Sequence, residues 1–199
     1  MKKKVLSMLM AAVMALSLAA CGGGTTGSGT ASTGASEAGG EKVLLVGLGG
    51  DPTSFNPDAN TDDNAYNVAC NLYSGLLTLN NNEEIIPDLA ESWEISEDNL
   101  TYTFHLRQGV KWHDGEPFTS ADVKWTFDSI LEYGDQAYTY AYISMVESVE
   151  TPDDYTVVFH MTDPCGTFVE NVGDYQGPDI LPAHIYEGTD PYTNPANQN

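Results

Sequence analysis

The plainest pattern along the chain is an alternation in which Leu100, Tyr102, Phe104 and Leu106 are apolar and Thr101, Thr103, His105 and Arg107 are polar. A period of two predicts a strand with one buried and one wet face. The turn residues Glu97, Asp98 and Asn99 join it to a strand over residues 92–95, and Asp114-Gly115 marks a further hairpin. Tyr155, Val157, Phe159 and Met161 alternate in the same way, which predicts a strand paired across Pro152-Asp153-Asp154 with one over residues 146–151. Elsewhere the period is helical. Ala65, Val68, Ala69, Leu72 and Tyr73 predict a helix over residues 64–73, and Val123, Phe127, Ile130 and Leu131 form the stripe of a longer one. That longer helix starts at Thr119, with Asp122 placed as its capping-box partner, and carries Trp125 on the opposite side. Residues 43–48 (VLLVGL) are apolar without alternation and run into Gly49-Gly50-Asp51-Pro52, which predicts a fully buried strand leading into a polar loop over residues 51–63. Residues 180–186 read as a loop with a short helix. No repeat is visible, and the sum of the elements is a mixed α/β chain.

The N-terminus has a different logic. Lys2, Lys3 and Lys4 precede an apolar run over residues 5–18 that is too short for the ~20 residues a permanent membrane-spanning helix requires. This is the pattern of a secretory signal peptide, residues 1–20. Leu18-Ala19-Ala20-Cys21 fits a bacterial lipobox, in which the Cys21 thiol takes a diacylglycerol and becomes the new N-terminus. Residues 21–41 are then a lipidated cysteine followed by a Gly, Ser, Thr and Ala tether with almost nothing to bury.

Charge narrows the choice of partner. There are 7 Lys and Arg against 29 Asp and Glu, a formal net charge of -22. Three of the seven basic residues precede Cys21 and no acidic residue does, so the chain from Cys21 onward stands at 4 against 29, or -25. Such a surface repels nucleic acid and anionic lipid, so membrane attachment falls to the lipid anchor. Cys70 and Cys165 remain, with no Cys-x-x-Cys spacing, and either a disulfide or two separate thiols is compatible with export.

The stretches Pro87-Asp88-Leu89-Ala90-Glu91-Ser92-Trp93 and Leu100 through Val123, with Lys111-Trp112-His113-Asp114-Gly115 at their centre, closely resemble the signature of the family 5 extracellular solute-binding proteins. These are the oligopeptide- and dipeptide-binding lipoproteins of ABC importers. Pro52-Thr53-Ser54-Phe55-Asn56-Pro57, Tyr73-Ser74-Gly75-Leu76 and Ile180-Leu181-Pro182-Ala183-His184 are similar to further family segments, with Phe55 and Asn56 as small departures from the usual Leu and Asp. The resemblance implies a type II periplasmic-binding-protein fold whose two lobes close on the ligand. Residues 42–86 would be the first part of the first lobe, 87–163 an inserted small α+β domain, and 164–199 a truncated second part. The second lobe would be absent from this chain, and the segment alone would bind ligand weakly.

The resemblance also points to residues. It puts Thr61, Asp62 and Asp63 at the mouth of the cleft, and Tyr138 and Tyr140, with Tyr142 beside them, in a segment that lends a tyrosine to the ligand. Trp93, Tyr102 and Phe104 are expected in the core, and Arg107 is expected to pair with carboxylates. His105, His113, His160 and His184 lack the spacing of a metal site, and His105 and His160 fall on wet strand faces, so neither metal nor cofactor is expected. No nucleophile, zinc-protease or phosphate-loop motif occurs, so no catalytic residue is assigned. The implied function is a non-catalytic, monomeric, lipid-anchored receptor on the outer face of the bacterial cytoplasmic membrane, which passes short peptides to an ABC permease. The alternatives are a receptor for a nickel complex or an oligosaccharide, a peptide-sensing lipoprotein and, from another class, a secreted hydrolase.

Overall fold

The two alternating segments become neighbouring strands of one antiparallel sheet. A computed structural model describes residues 43–59, 62–174 and 176–198. The described residues from Val46 onward form one compact unit. The signal segment, Cys21, the tether and Thr61 lie outside the described residues.

In chain order the elements are α1 (Asp63–Ala69), β1 (Leu77–Leu79), β2 (Ile85–Pro87), β3 (Ala90–Ile95), β4 (Thr101–Leu106), α2 (Ser120–Tyr133), α3 (Tyr140–Ile143), β5 (Val146–Asp153), β6 (Thr156–Met161), α4 (Phe168–Gly173) and α5 (Ala183–Tyr186). Strands β3-β4-β6-β5 form a four-stranded antiparallel sheet, and β1 and β2 form a separate hairpin. Along β4, Tyr102, Phe104 and Leu106 are buried, and along β6 Val157, Phe159 and Met161 are, so the period-two reading holds on both. Tyr155 stands just before β6 and is half-buried.

Helix α2 lies against β5 and β6. Its capping box forms as expected, with Thr119 and Asp122 each bonding the other's backbone. Phe127 on its inner face reaches Phe159 at 4.7 Å between ring centroids, and Phe159 also meets Phe104 at 5.5 Å and Phe168 of α4 at 5.2 Å. Full burial of such a ring is worth about 1.5–3 kcal/mol, so this cluster holds sheet, α2 and α4 together. Trp125, on the other side of α2, packs on Tyr186 at 5.7 Å.

Three expectations are corrected. Residues 43–48 form no strand, and Val43, Leu44, Leu45 and Val46 are 70–90% exposed. A strand apolar on both faces needs neighbours on both edges, and none of the described strands pairs with it. Helix α1 stops at Ala69 rather than Tyr73, because Asn71 and Leu72 bond back to Val68 and Ala69 in a tighter i to i+3 turn. Among the described residues Arg107 pairs with no carboxylate; its Nε donates to the backbone carbonyl of Asp88. Cys70 and Cys165 are both free thiols.

Candidate functional site

Four segments meet around a pocket of about 440 Å³: the loop at Ser54, Asn56 and Pro57, the face of α1 from Asp62 to Ala69, the pair Tyr138-Thr139, and Gln176, Gly177 and Asp179 after α4. Each is fixed locally. Asp62 caps α1, accepting from the Asn64 backbone N–H at 2.9 Å and from the Thr53 N–H at 3.3 Å, and these bonds hold its carboxyl below the usual carboxylate range. Asn56 is buried; its side-chain oxygen accepts from the Asp58 N–H at 2.9 Å and its amide donates to the Pro191 carbonyl at 3.0 Å, tying the loop to the end of the chain. At Gly177 a Cβ would stand 2.4 Å from the Asn171 carbonyl oxygen, so only glycine lets this wall pass α4 so closely.

Asp62, Asp63 and Tyr138 therefore line one pocket, although 75 residues separate Asp63 from Tyr138 in sequence. Tyr140 does not line it. It packs against the core and borders a neighbouring hollow with Ala59, Asp135 and Gln136. Tyr142 acts one layer back: its hydroxyl donates to Gln176 Oε1 at 2.6 Å and its carbonyl accepts from the Asn171 amide at 2.9 Å, which positions the Gln176 wall.

Sequence reasoning missed the most unusual part of the site. Asp58, in the 3-10 turn Pro57–Ala59, is 3% exposed. Its Oδ1 accepts from the Thr139 hydroxyl at 3.1 Å, while Oδ2 is buried with no hydrogen-bond partner. Burial, then the nearby charge of Asp179, pushes the Asp58 carboxyl well above its ordinary range. Asp179 is pushed up to about 7, by burial first and by the charge of Asp88 second. Behind them Tyr73, Tyr186 and Tyr192 are raised mainly by burial. Among the described residues no Lys or Arg lines the pocket. The available signal was the turn chemistry of Asn56-Pro57-Asp58 and Gly177-Pro178-Asp179, which marks loops without showing that they meet.

The histidines lie elsewhere. His105 and His160 sit half-exposed on the sheet beside Glu94 and Glu150, and His184 Nε2 is 2.7 Å from Asp114 Oδ2. Among the described residues no group of three His, Cys, Asp or Glu side chains could hold a metal ion.

Known proteins give this geometry a context. A Brucella ovis protein provisionally named an ABC transporter peptide-binding protein is 39% identical over 147 residues, 73% of this chain and 27% of that protein. The oligopeptide-binding protein AppA of Bacillus subtilis is 35% identical over 184 residues, 91% of this chain and 33% of AppA. The AppA structure, in complex with a nonapeptide, superposes with a TM-score of 0.66 at 32% identity over 72% of this chain and 28% of AppA. NikZ of Campylobacter jejuni, in complex with Ni(L-His), gives a TM-score of 0.67 at 31% identity over 75% of this chain and 29% of NikZ. The chain thus spans about a third or less of the length of these relatives. Its mixed α/β fold is that of their corresponding segment. The model of the bacterial extracellular solute-binding proteins, family 5 middle, matches residues 84–197, more than half of the chain. The chain belongs to the bacterial extracellular solute-binding proteins of family 5.

Proposed function

We propose that the complete protein is a non-catalytic receptor that captures short peptides outside the cytoplasmic membrane and delivers them to the permease of an ABC importer. The observation that carries this reading is the pocket itself, in which Asp62, Asp63 and Tyr138 converge from distant parts of the chain. The family and the peptide-bound state of AppA support it. Residues 42–86 and 164–199 serve as parts of one lobe, with 87–163 as its inserted domain, and the pocket is that lobe's share of a cleft. Cys21 carries the lipid that keeps the receptor at the membrane.

Extended peptides held through their main chain leave room for many side chains, and a half-open pocket with hydroxyl and carboxylate groups on its rim suits that mode. Calorimetric titration of the complete protein with tripeptides is expected to give one site per chain. Tyr138→Ala should weaken it about tenfold, the usual scale for a contacting tyrosine. Residues 22–199 alone should bind at least about a hundredfold more weakly, because they span only about a third of the length of the oligopeptide-binding relative. Undiminished binding by Tyr138→Ala would overturn the assignment of this pocket. A nickel chelate is the second reading, favoured by the likeness to NikZ. Tight binding of nickel with histidine and none of peptide would establish it instead.

A further inference from the structure

We propose that Asp179, with Asp58 directly behind it, is the counter-charge for a positively charged side chain of the bound ligand. The inference rests on the peptide-binding reading above and names a preference within it.

Asp179 is part of the pocket wall. Asp58 stands immediately behind that wall: its neighbour Pro57 and its hydrogen-bond partner Thr139 both line the pocket, and it is coupled electrostatically to Asp179 itself. Its Oδ2 is buried without a hydrogen-bond partner, a costly arrangement that the Thr139 hydroxyl and the Asp179 backbone N–H beside the carboxyl offset only in part. Among the described residues, the groups facing this pair are acidic or neutral. They are Asp88 after β2, Asp62 and Asp63 at the start of α1, and the phenols of Tyr73, Tyr186 and Tyr192. With no Lys or Arg among the described lining residues, a cation carried by the ligand would serve as the counter-charge. An ammonium or guanidinium entering the pocket would lower the proton affinity of Asp179, which gives up its proton to solvent and accepts a charge-assisted hydrogen bond. An uncharged side chain of the same length leaves the proton in place.

The sign of the pH dependence follows. Asp179 titrates near pH 7 in the free pocket, so below that pH a cationic ligand must first displace a proton. Affinity for such a ligand should climb between about pH 5.5 and 8 and then level, with at most about a tenfold gain per pH unit.

The test is calorimetric titration of the complete protein with trialanine-based peptides carrying a single lysine or a single norleucine at each position in turn. At pH 8, one lysine peptide should bind about tenfold or more tightly than its norleucine match, the scale of a hydrogen bond to a charged group. At pH 7, repeating the titration in two buffers of different ionisation enthalpy should show proton release with that lysine peptide only. In Asp179→Asn, which keeps the side chain's shape, the lysine-to-norleucine ratio should fall to about one and the proton release should vanish. Binding of both peptides with equal affinity, or a lysine preference that survives Asp179→Asn, would overturn the proposal while leaving peptide binding intact. Failure of every peptide to bind would instead remove the reading on which it rests. Asp58→Asn gives a second check, since removing the charge behind the wall should narrow the ratio without abolishing it.

Discussion

A carboxyl that keeps its proton when folded and loses it when unfolded makes stability depend on pH, and Asp179 is such a group. Unfolded, it ionises near the ordinary value of about 3.9; folded, it holds its proton up to about pH 7. Between those values the folded state binds more protons. Its contribution is therefore fully present below about pH 4, declines as pH rises through the window, and levels off above pH 7. Asp58, raised in the same direction by burial, carries the decline further. Asp179→Asn should raise Tm by on the order of 5 °C at pH 8 and leave it unchanged near pH 4. Thermal unfolding followed by circular dichroism at the two pH values checks this, and a gain of equal size at both would contradict it. Neither carboxylate could be singled out from the sequence, because their peculiarity is mutual and they are more than a hundred positions apart among 29 acidic residues. The family resemblance named Asp62, Asp63, Tyr138 and Tyr140; the first three line the pocket, and Tyr140 borders the adjoining hollow that Tyr138 also lines.

At the level of elements, long periodic segments were readable and short ones were not. Strands β4 and β6 and helix α2 each repeat an apolar position often enough to show their period, and the Thr119 capping box announced where α2 begins. The β1–β2 hairpin has three residues per strand and α4 only six, too few for a period to show. The strand expected over residues 43–48 failed for a different reason: composition reports a wish for burial, and only neighbouring strands can grant it. The same contrast separates core from cap in energy. Phe159→Ala, which empties the meeting point of Phe104, Phe127 and Phe168, should cost about 3–5 kcal/mol. Thr119→Ala should cost about 1 kcal/mol. Urea denaturation of the two variants gives the comparison, and equal losses would mean that the aromatic cluster is not the centre of the core.

For the whole molecule, a net charge of -25 from Cys21 onward disfavours electrostatic attachment to an anionic membrane, and the proposed function assigns attachment to the Cys21 thiol. Cys21→Ser should move the protein from the membrane pellet to the soluble fraction, as read by fractionation and immunoblot, and retention in the pellet would refute the anchor. Nothing in the hydrophobic pattern alone identified a receptor. That conclusion needed the ordered signature over residues 87–123, whose own residues build the sheet and cap α2 while the pocket is assembled from the segments on either side. The central claim is that this pocket touches peptide. Its most direct test replaces Tyr138 with the photo-cross-linker p-benzoylphenylalanine in the complete protein, irradiates in the presence of a tripeptide, and reads the adduct by mass spectrometry. Tyr155, beside the β5–β6 turn and outside the pocket, serves as control. The account predicts a peptide adduct from position 138 and none from position 155; peptide retained by the protein with no adduct at 138, or with equal adducts at both positions, would contradict it.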